Sequence, residues 1–304
     1  MHGGTEYAFW NAVRSLTHSI GHFRLSDAWY EELRGLVRAF SGAFLFGIPL
    51  LYTMEMWWLG DASNPGHLLL TLGIALVTNF GLVTAAGFKK EEKSLFSRIE
   101  QTMDAVAVGA VGSAVVLLTL NQLNADQPLL AMLGKIVIQA LPLSIGASLA
   151  NIVFESNNSR EGDDDAGSRM PSWWHALLND VGATAIGAVF IAYNVAPTEE
   201  IPMLAARMHY LHQLALIALT LVTGYVIVFA SGFDPAAKRD REHLFQHPAT
   251  ETVLSYLVSL LVAFGVLALM KQFGADHPPA FVLTQTLVLG FPAMVGGAAG
   301  RIAV

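Results

Sequence analysis

Long apolar stretches alternate with short polar ones along the whole chain. Stretches of about twenty residues recur at 36–59, 66–88, 102–121, 129–154, 176–196, 204–232, 250–272 and 280–302, each long enough for a helix to cross a hydrocarbon core of roughly 30 Å. The runs are continuous and lack period-two alternation, so the pattern predicts eight membrane-spanning helices rather than a barrel. Ahead of them, Phe9, Trp10, Val13, Leu16, Ile20 and Phe23 fall at three- and four-residue spacing, with Arg14, His18 and His22 on other faces. That is the signature of an amphipathic helix lying on a membrane surface. The first residues lack the basic-then-apolar order of a cleavable signal, so none is expected.

Composition agrees with the pattern. In 304 residues, 54% are hydrophobic and 13% charged, about half the charge density of a soluble globular protein. The absence of cysteine excludes disulfides, thiolate nucleophiles, iron–sulfur clusters and cysteine-ligated zinc. A net charge of -7 leaves no basic surface for nucleic acid.

The basic residues set a direction. If eight spans alternate, Arg14, Arg24, Arg34, Arg38, Lys89, Lys90, Lys93, Arg98, Arg160, Arg169, Lys238, Arg239, Arg241 and Arg301 all fall on one side. Arg207 and Lys271 fall on the other, and Lys135 lies within a span. The excess predicts both termini in the cytoplasm. Trp57 and Trp58, at one end of the first span, and Trp173 and Trp174, before the fifth, are expected to be interfacial anchors.

The two halves of the sequence match. The loop Asn121-Gln-Leu-Asn-Ala-Asp-Gln-Pro128 returns as Lys271-Gln-Phe-Gly-Ala-Asp-His-Pro278, a shift of 150 residues. In the same register Thr102 falls on Thr252, Pro142 on Pro292 and Gly146 on Gly296, while Gly42 and Gly47 fall on Gly182 and Gly187 at a shift of 140. Membrane composition alone produces Leu and Val coincidences, but not a loop followed in step by proline and glycine. The expectation is an all-α polytopic protein of two parallel four-helix repeats related by a pseudo-twofold axis along the membrane normal. Its organisation would be a cytoplasmic amphipathic segment (1–35), the first repeat (36–154), a polar cytoplasmic linker (155–175) and the second repeat (176–304).

Ionisable and amide groups inside a bilayer cost free energy, which makes each a functional candidate. Glu55 lies near the end of the first span, suited to a cation or a proton, or to an interfacial position beside the tryptophans. Lys135, Gln139, Pro142 and Gly146 share one face of the fourth span, and Gln285, Pro292 and Gly296 the matching face of the eighth. Lys135 could hold an anion, pair with Glu55, or snorkel to the interface. Pro142 and Pro292 are candidate kinks. His209, His212 and Gln213 open the sixth span, with Asn194, Glu199 and Glu200 in the loop before it. These groups could titrate near neutrality or form a solvated loop, and no tight ligand spacing supports a metal site. Asn79 reads as an interhelical hydrogen bond or a pathway group.

No P-loop, H-E-x-x-H or G-x-S-x-G motif occurs, so neither enzyme activity nor a cofactor is expected. With its Asn-Val-Ala-Pro-Thr-Glu-Glu-Ile, Tyr-Thr-Met-Glu-Met-Trp and Ser-Gly-Ala-Phe-Leu-Phe-Gly-Ile-Pro-Leu-Leu segments, the chain resembles a bacterial family of multi-pass integral membrane proteins of unknown function, over nearly its whole length. That resemblance implies a multi-pass protein and no particular activity. Val37 to Leu51 is also similar to the first helix of the transmembrane potassium channels marked by Arg-x-x-x-Phe-Ser-Asp. Phe40 and Ser41 match, but Gly42 replaces the aspartate and Arg38 stands two residues before Phe40, so no gating or filter residue carries over.

The resulting expectation is a transporter or channel for a small ion or solute, with its pathway between the fourth and eighth helices and Glu55, Lys135, His209 and Gln213 facing one cavity. The alternative is a membrane sensor or scaffold with a dry, tightly packed interior. The bilayer is the expected partner, with small ions or solutes, and nothing in the pattern excludes a homo-oligomer.

Overall fold

The structure, a computed structural model, describes residues 27–87, 94–157, 173–230, 248–273 and 277–303. The expected amphipathic helix over 6–23 and most of the linker at 155–175 lie outside the described residues. The described residues form ten α-helices: α1 (Asp27–Leu51), α2 (Met54–Ala62), α3 (Pro65–Gly87), α4 (Leu95–Thr119), α5 (Leu129–Asn157), α6 (Trp173–Val195), α7 (Glu200–Arg207), α8 (Tyr210–Tyr225), α9 (Pro248–Leu269) and α10 (Pro279–Ala303), with a π-helical turn at Val226–Ala230 after α8.

Local chemistry sets the helix ends. Pro65, Pro248 and Pro279 each open a helix, where a missing N–H costs nothing and the fixed φ is already helical. Ser94 caps α4 by accepting from the Ser97 N–H at 3.3 Å. Among the described residues, seven helices are long and apolar enough to cross a membrane, and the pair Asp180–Val195 and Glu200–Arg207, bent by 90°, makes an eighth if taken as one span. Large apolar side chains such as Leu69, Val77, Ile186, Phe190 and Leu261 point outward at 69–75% exposure. Such a belt would not be tolerated in water and is the lipid-facing surface of an integral membrane protein.

The first predicted span is not one rod. It breaks at Tyr52 and Thr53, and its last quarter belongs to the separate helix α2. α1 also begins nine residues before the expected boundary at 36, at Asp27. The sixth span likewise starts at Tyr210, because residues from Leu204 to Arg207 belong to α7. Trp57, expected as an interfacial anchor, is only 2% exposed and donates its indole N–H to the Leu51 carbonyl at 3.0 Å. Its neighbour Trp58 does face outward.

Packing is organised around the last helix of each half. α5 packs against α1, α2, α3 and α4, and α10 packs against α6, α7, α8 and α9. The closest crossings are made by glycine. A Cβ on Gly42 would lie 2.6 Å from the Gly146 carbonyl oxygen, and one on Gly187 would collide with that of Gly296. Small residues here let backbones meet where apolar association alone gives no drive in lipid. Gly182, the sequence counterpart of Gly42, meets nothing within 4 Å, so the second crossing sits about one turn further along.

The seam between the halves is made by α1 against α10, α6 and the π-helical turn, and by α4 against α8. It is aromatic at its centre, with Phe44 edge-on to Phe291 at 5.9 Å and tilted against Phe40 of the same helix at 4.5 Å. The seam helix from the first half is therefore α1, where the pattern had suggested the fourth crossing helix, α5.

Candidate functional site

The breaks after α1 and α6 lie at the same end of the bundle, and side chains close them. α1 ends in a tight turn, Thr53 N to Leu50 O at 3.2 Å. Its last carbonyls are taken up by side chains: Leu50 O accepts from Gln139 Nε2 at 3.1 Å and Pro49 O from Thr53 Oγ1 at 3.2 Å. At the start of α2, the Met54 N–H donates to Glu200 Oε1 of the other half at 3.1 Å. Glu200 is 6% exposed, and a carboxylate suits the positive end of a helix dipole. Asn121 Nδ2 donates to Arg207 O at 2.8 Å, a second polar tie across the halves.

Lys135 is 4% exposed on α5, where Gly60 and Gly134 bring α2 into backbone contact. Its ammonium meets three oxygens: Asp61 Oδ1 at 3.2 Å, the Gln122 carbonyl at 3.1 Å and Gln127 Oε1 at 3.4 Å. Lys135 thus takes its carboxylate from Asp61 instead of the expected Glu55, which is exposed on α2. The reason is helical phase: Glu55 and Asp61 lie six residues apart, far enough round a 3.6-residue turn to point in different directions.

The Gln122 carbonyl is aimed by an unusual turn. Asn121 has a left-handed φ of 56°, and Gln122 N donates to Leu117 O at 2.8 Å. The other half has the same turn: Lys271 has φ 57°, and Gln272 N donates to Leu267 O at 3.0 Å. The helix that follows carries Gln285, fully buried, with neither amide atom hydrogen-bonded. Beside it, Gln213 Nε2 of α8 donates to Thr284 Oγ1 at 3.1 Å.

Further buried polar groups continue from there between α8, α9 and α10. Thr220 and Thr223 on α8, and Ser255 and Ser259 on α9, are all buried. The hydroxyls of Thr223 and Tyr256 have no hydrogen-bond partner. At the far end Arg301, 3% exposed, meets Glu251 Oε2 at 2.8 Å, Asp180 Oδ2 at 3.6 Å and Ser255 Oγ at 3.3 Å, with Phe229 of the π-helical turn 5.6 Å from its guanidinium carbon. In the first half Asn79 Nδ2 donates to Ser144 Oγ at 2.8 Å and Asn79 Oδ1 accepts from Ser148 Oγ at 2.7 Å, while Thr84 Oγ1, Gln122 Nε2 and Gln139 Oε1 lack a partner.

The other sequence-predicted residues are scattered. Asn194 is exposed and donates to Phe190 O. Glu199 is exposed at the N-cap of α7 without a capping bond from its side chain. His209 is exposed, and its ring lies 6.0 Å from that of half-buried His212. No group of three or more His, Asp or Glu residues able to hold a metal occurs among the described residues. Pro142 and Pro292 lie inside α5 and α10, which continue through them. Sequence reasoning missed Asp61, Tyr52 and Glu251. Asp61 sits in a Gly-Asp-Ala-Ser-Asn-Pro stretch that reads as solvent loop, and its only clue was the need of a buried lysine for an anion.

A family model described as "Putative integral membrane protein (DUF2391)" matches residues 35–304. No curated protein and no solved structure matches the chain.

Proposed function

The chain belongs to the DUF2391 family of integral membrane proteins, and from that premise we propose that it moves a small ion or polar solute across the bilayer through its second half. One observation carries the reading. Gln285, Thr223 and Tyr256, on three helices that pack on one another, keep buried polar atoms without hydrogen-bond partners, where each would ordinarily cost about 1–3 kcal/mol. Groups left open in this way along α8, α9 and α10 suit a path whose contents complete their hydrogen bonds. Paired broken elements support the same reading: α1/α2 and α6/α7 occupy matching places in the two halves, an arrangement typical of transporter binding sites. The shared turn at Asn121 and Lys271, 150 residues apart, and the matching order of helix lengths favour a duplicated origin. On this reading the helix-break end faces outward, by the distribution of Lys and Arg.

The test is flux in liposomes for protons, sodium, potassium, calcium and chloride, with Gln285→Ala and Thr223→Val in parallel. Flux that both substitutions depress, with folding intact, is the expected result. Absence of flux for every ion under both signs of voltage, together with none for small organic solutes, would sink the proposal. The aromatic seam of Phe40, Phe44 and Phe291 favours the second reading, a sensor or scaffold, should that happen.

A further inference from the structure

We infer that the second half binds a small monovalent cation, an alkali-metal ion or an ammonium, between the Gln285 side-chain oxygen and the Gln272 backbone carbonyl. The first half explains why. There the same construction holds a cation of its own: the Lys135 ammonium, fixed by the Gln122 carbonyl at 3.1 Å and by Asp61 at 3.2 Å. Position 135 falls on 285 and Gln122 on Gln272 in the register of the repeated loop.

The backbone that aims this carbonyl is reproduced bond for bond. In the first half Leu120 N donates to Val116 O at 2.8 Å, Asn121 N to Leu118 O at 3.1 Å and Gln122 N to Leu117 O at 2.8 Å. In the second, Met270 N donates to Val266 O at 2.9 Å, Lys271 N to Ala268 O at 3.1 Å and Gln272 N to Leu267 O at 3.0 Å. The left-handed residues, Asn121 at 56° and Lys271 at 57°, fall in step. What differs is the side chain opposite. Glutamine is neutral and reaches one heavy atom less far than lysine, and its buried amide makes no hydrogen bond.

A buried amide oxygen without a partner, on the helix that follows a carbonyl aimed as in the first half, suits a weakly hydrated cation whose shell such oxygens replace. A buried cation also needs a negative charge nearby. α7, which packs on α10 as α2 packs on α5, carries one buried carboxylate, Glu200, whose Oε1 accepts the Met54 N–H at 3.1 Å. A single ordered water would satisfy the Gln285 amide too, and the experiment separates the two occupants.

This site is the entry to the path proposed above and rests on that reading for its role, though not for its existence. The test follows thermal unfolding of the purified full chain, at constant ionic strength, in sodium, potassium, rubidium, ammonium or choline chloride. The expected result is a saturable rise of about 5 °C at cation concentrations far above the dissociation constant, with at least one small cation and not with choline. Gln285→Ala abolishes the rise. Gln285→Lys abolishes it as well but melts no lower than the cation-loaded parent, because its own ammonium takes the place. Lys135→Gln adds a second saturable phase. No response to any small cation, or a response that survives both Gln285 substitutions, overturns the site in favour of a water. Binding that depends on Gln285 without flux in liposomes would remove the transport reading and leave the site.

Discussion

The Tyr52 hydroxyl donates at 2.9 Å to the backbone carbonyl of Val288, across the seam between the two halves. Val288 lies four residues before Pro292, whose ring nitrogen has no proton to give back to that carbonyl. A break in one half therefore repairs the hydrogen-bond defect that proline makes in the other. The Tyr52 side chain is buried, so water cannot stand in for the bond. Tyr52→Phe is expected to leave the carbonyl unsatisfied and lower stability by about 1–3 kcal/mol, read as a drop in unfolding temperature in detergent. An unchanged transition would mean that the bond contributes nothing.

Lys135 and Asp61 are unequal partners, because the lysine side chain is 5% exposed and the aspartate 45%. Removing the carboxylate strands a buried ammonium, whereas removing the ammonium leaves a carboxylate that water can reach. Asp61→Asn should therefore destabilise more than Lys135→Met, by a margin of about 1 kcal/mol or more. Chemical unfolding of both variants checks the order, and the reverse order would contradict the cage.

Arg301 stands between Glu251 and Asp180 in a nearly buried position. Arg301→Gln leaves two carboxylates facing each other and should cost about 3–5 kcal/mol. Glu251→Gln should cost less, since Asp180 still balances the guanidinium. Expression level and unfolding temperature of the pair measure the difference.

The helix crossings make a further prediction. Any side chain on Gly187 collides with the Gly296 carbonyl, while Gly182 opens onto free space. Gly187→Val should lower stability by about 1–3 kcal/mol. Gly182→Ala should raise it by about 0.5–1 kcal/mol, through helix propensity. Equal effects at the two glycines would disprove the crossing.

The residue pattern was enough to determine an all-helical membrane protein, its spans with boundaries up to nine residues off, and the recurrence of one loop 150 residues on. These are local properties: a run of apolar residues must become a helix in lipid because no water is there to satisfy its backbone. Whether a span stays whole was not local. The break at Tyr52 depends on α10 to receive the phenol and on Glu200 to receive the Met54 N–H, both far away in sequence. The partner of Lys135 was equally illegible, since Asp61 reads as part of a loop until Gly60 and Gly134 bring α2 against α5. The same holds for Arg301, which counts as one more basic residue at a helix end until α6 and α9 close two carboxylates around it. Sequence periodicity tells which face of a helix is apolar, but only the packing of helices on one another decides which polar groups lose their water, and with what they replace it.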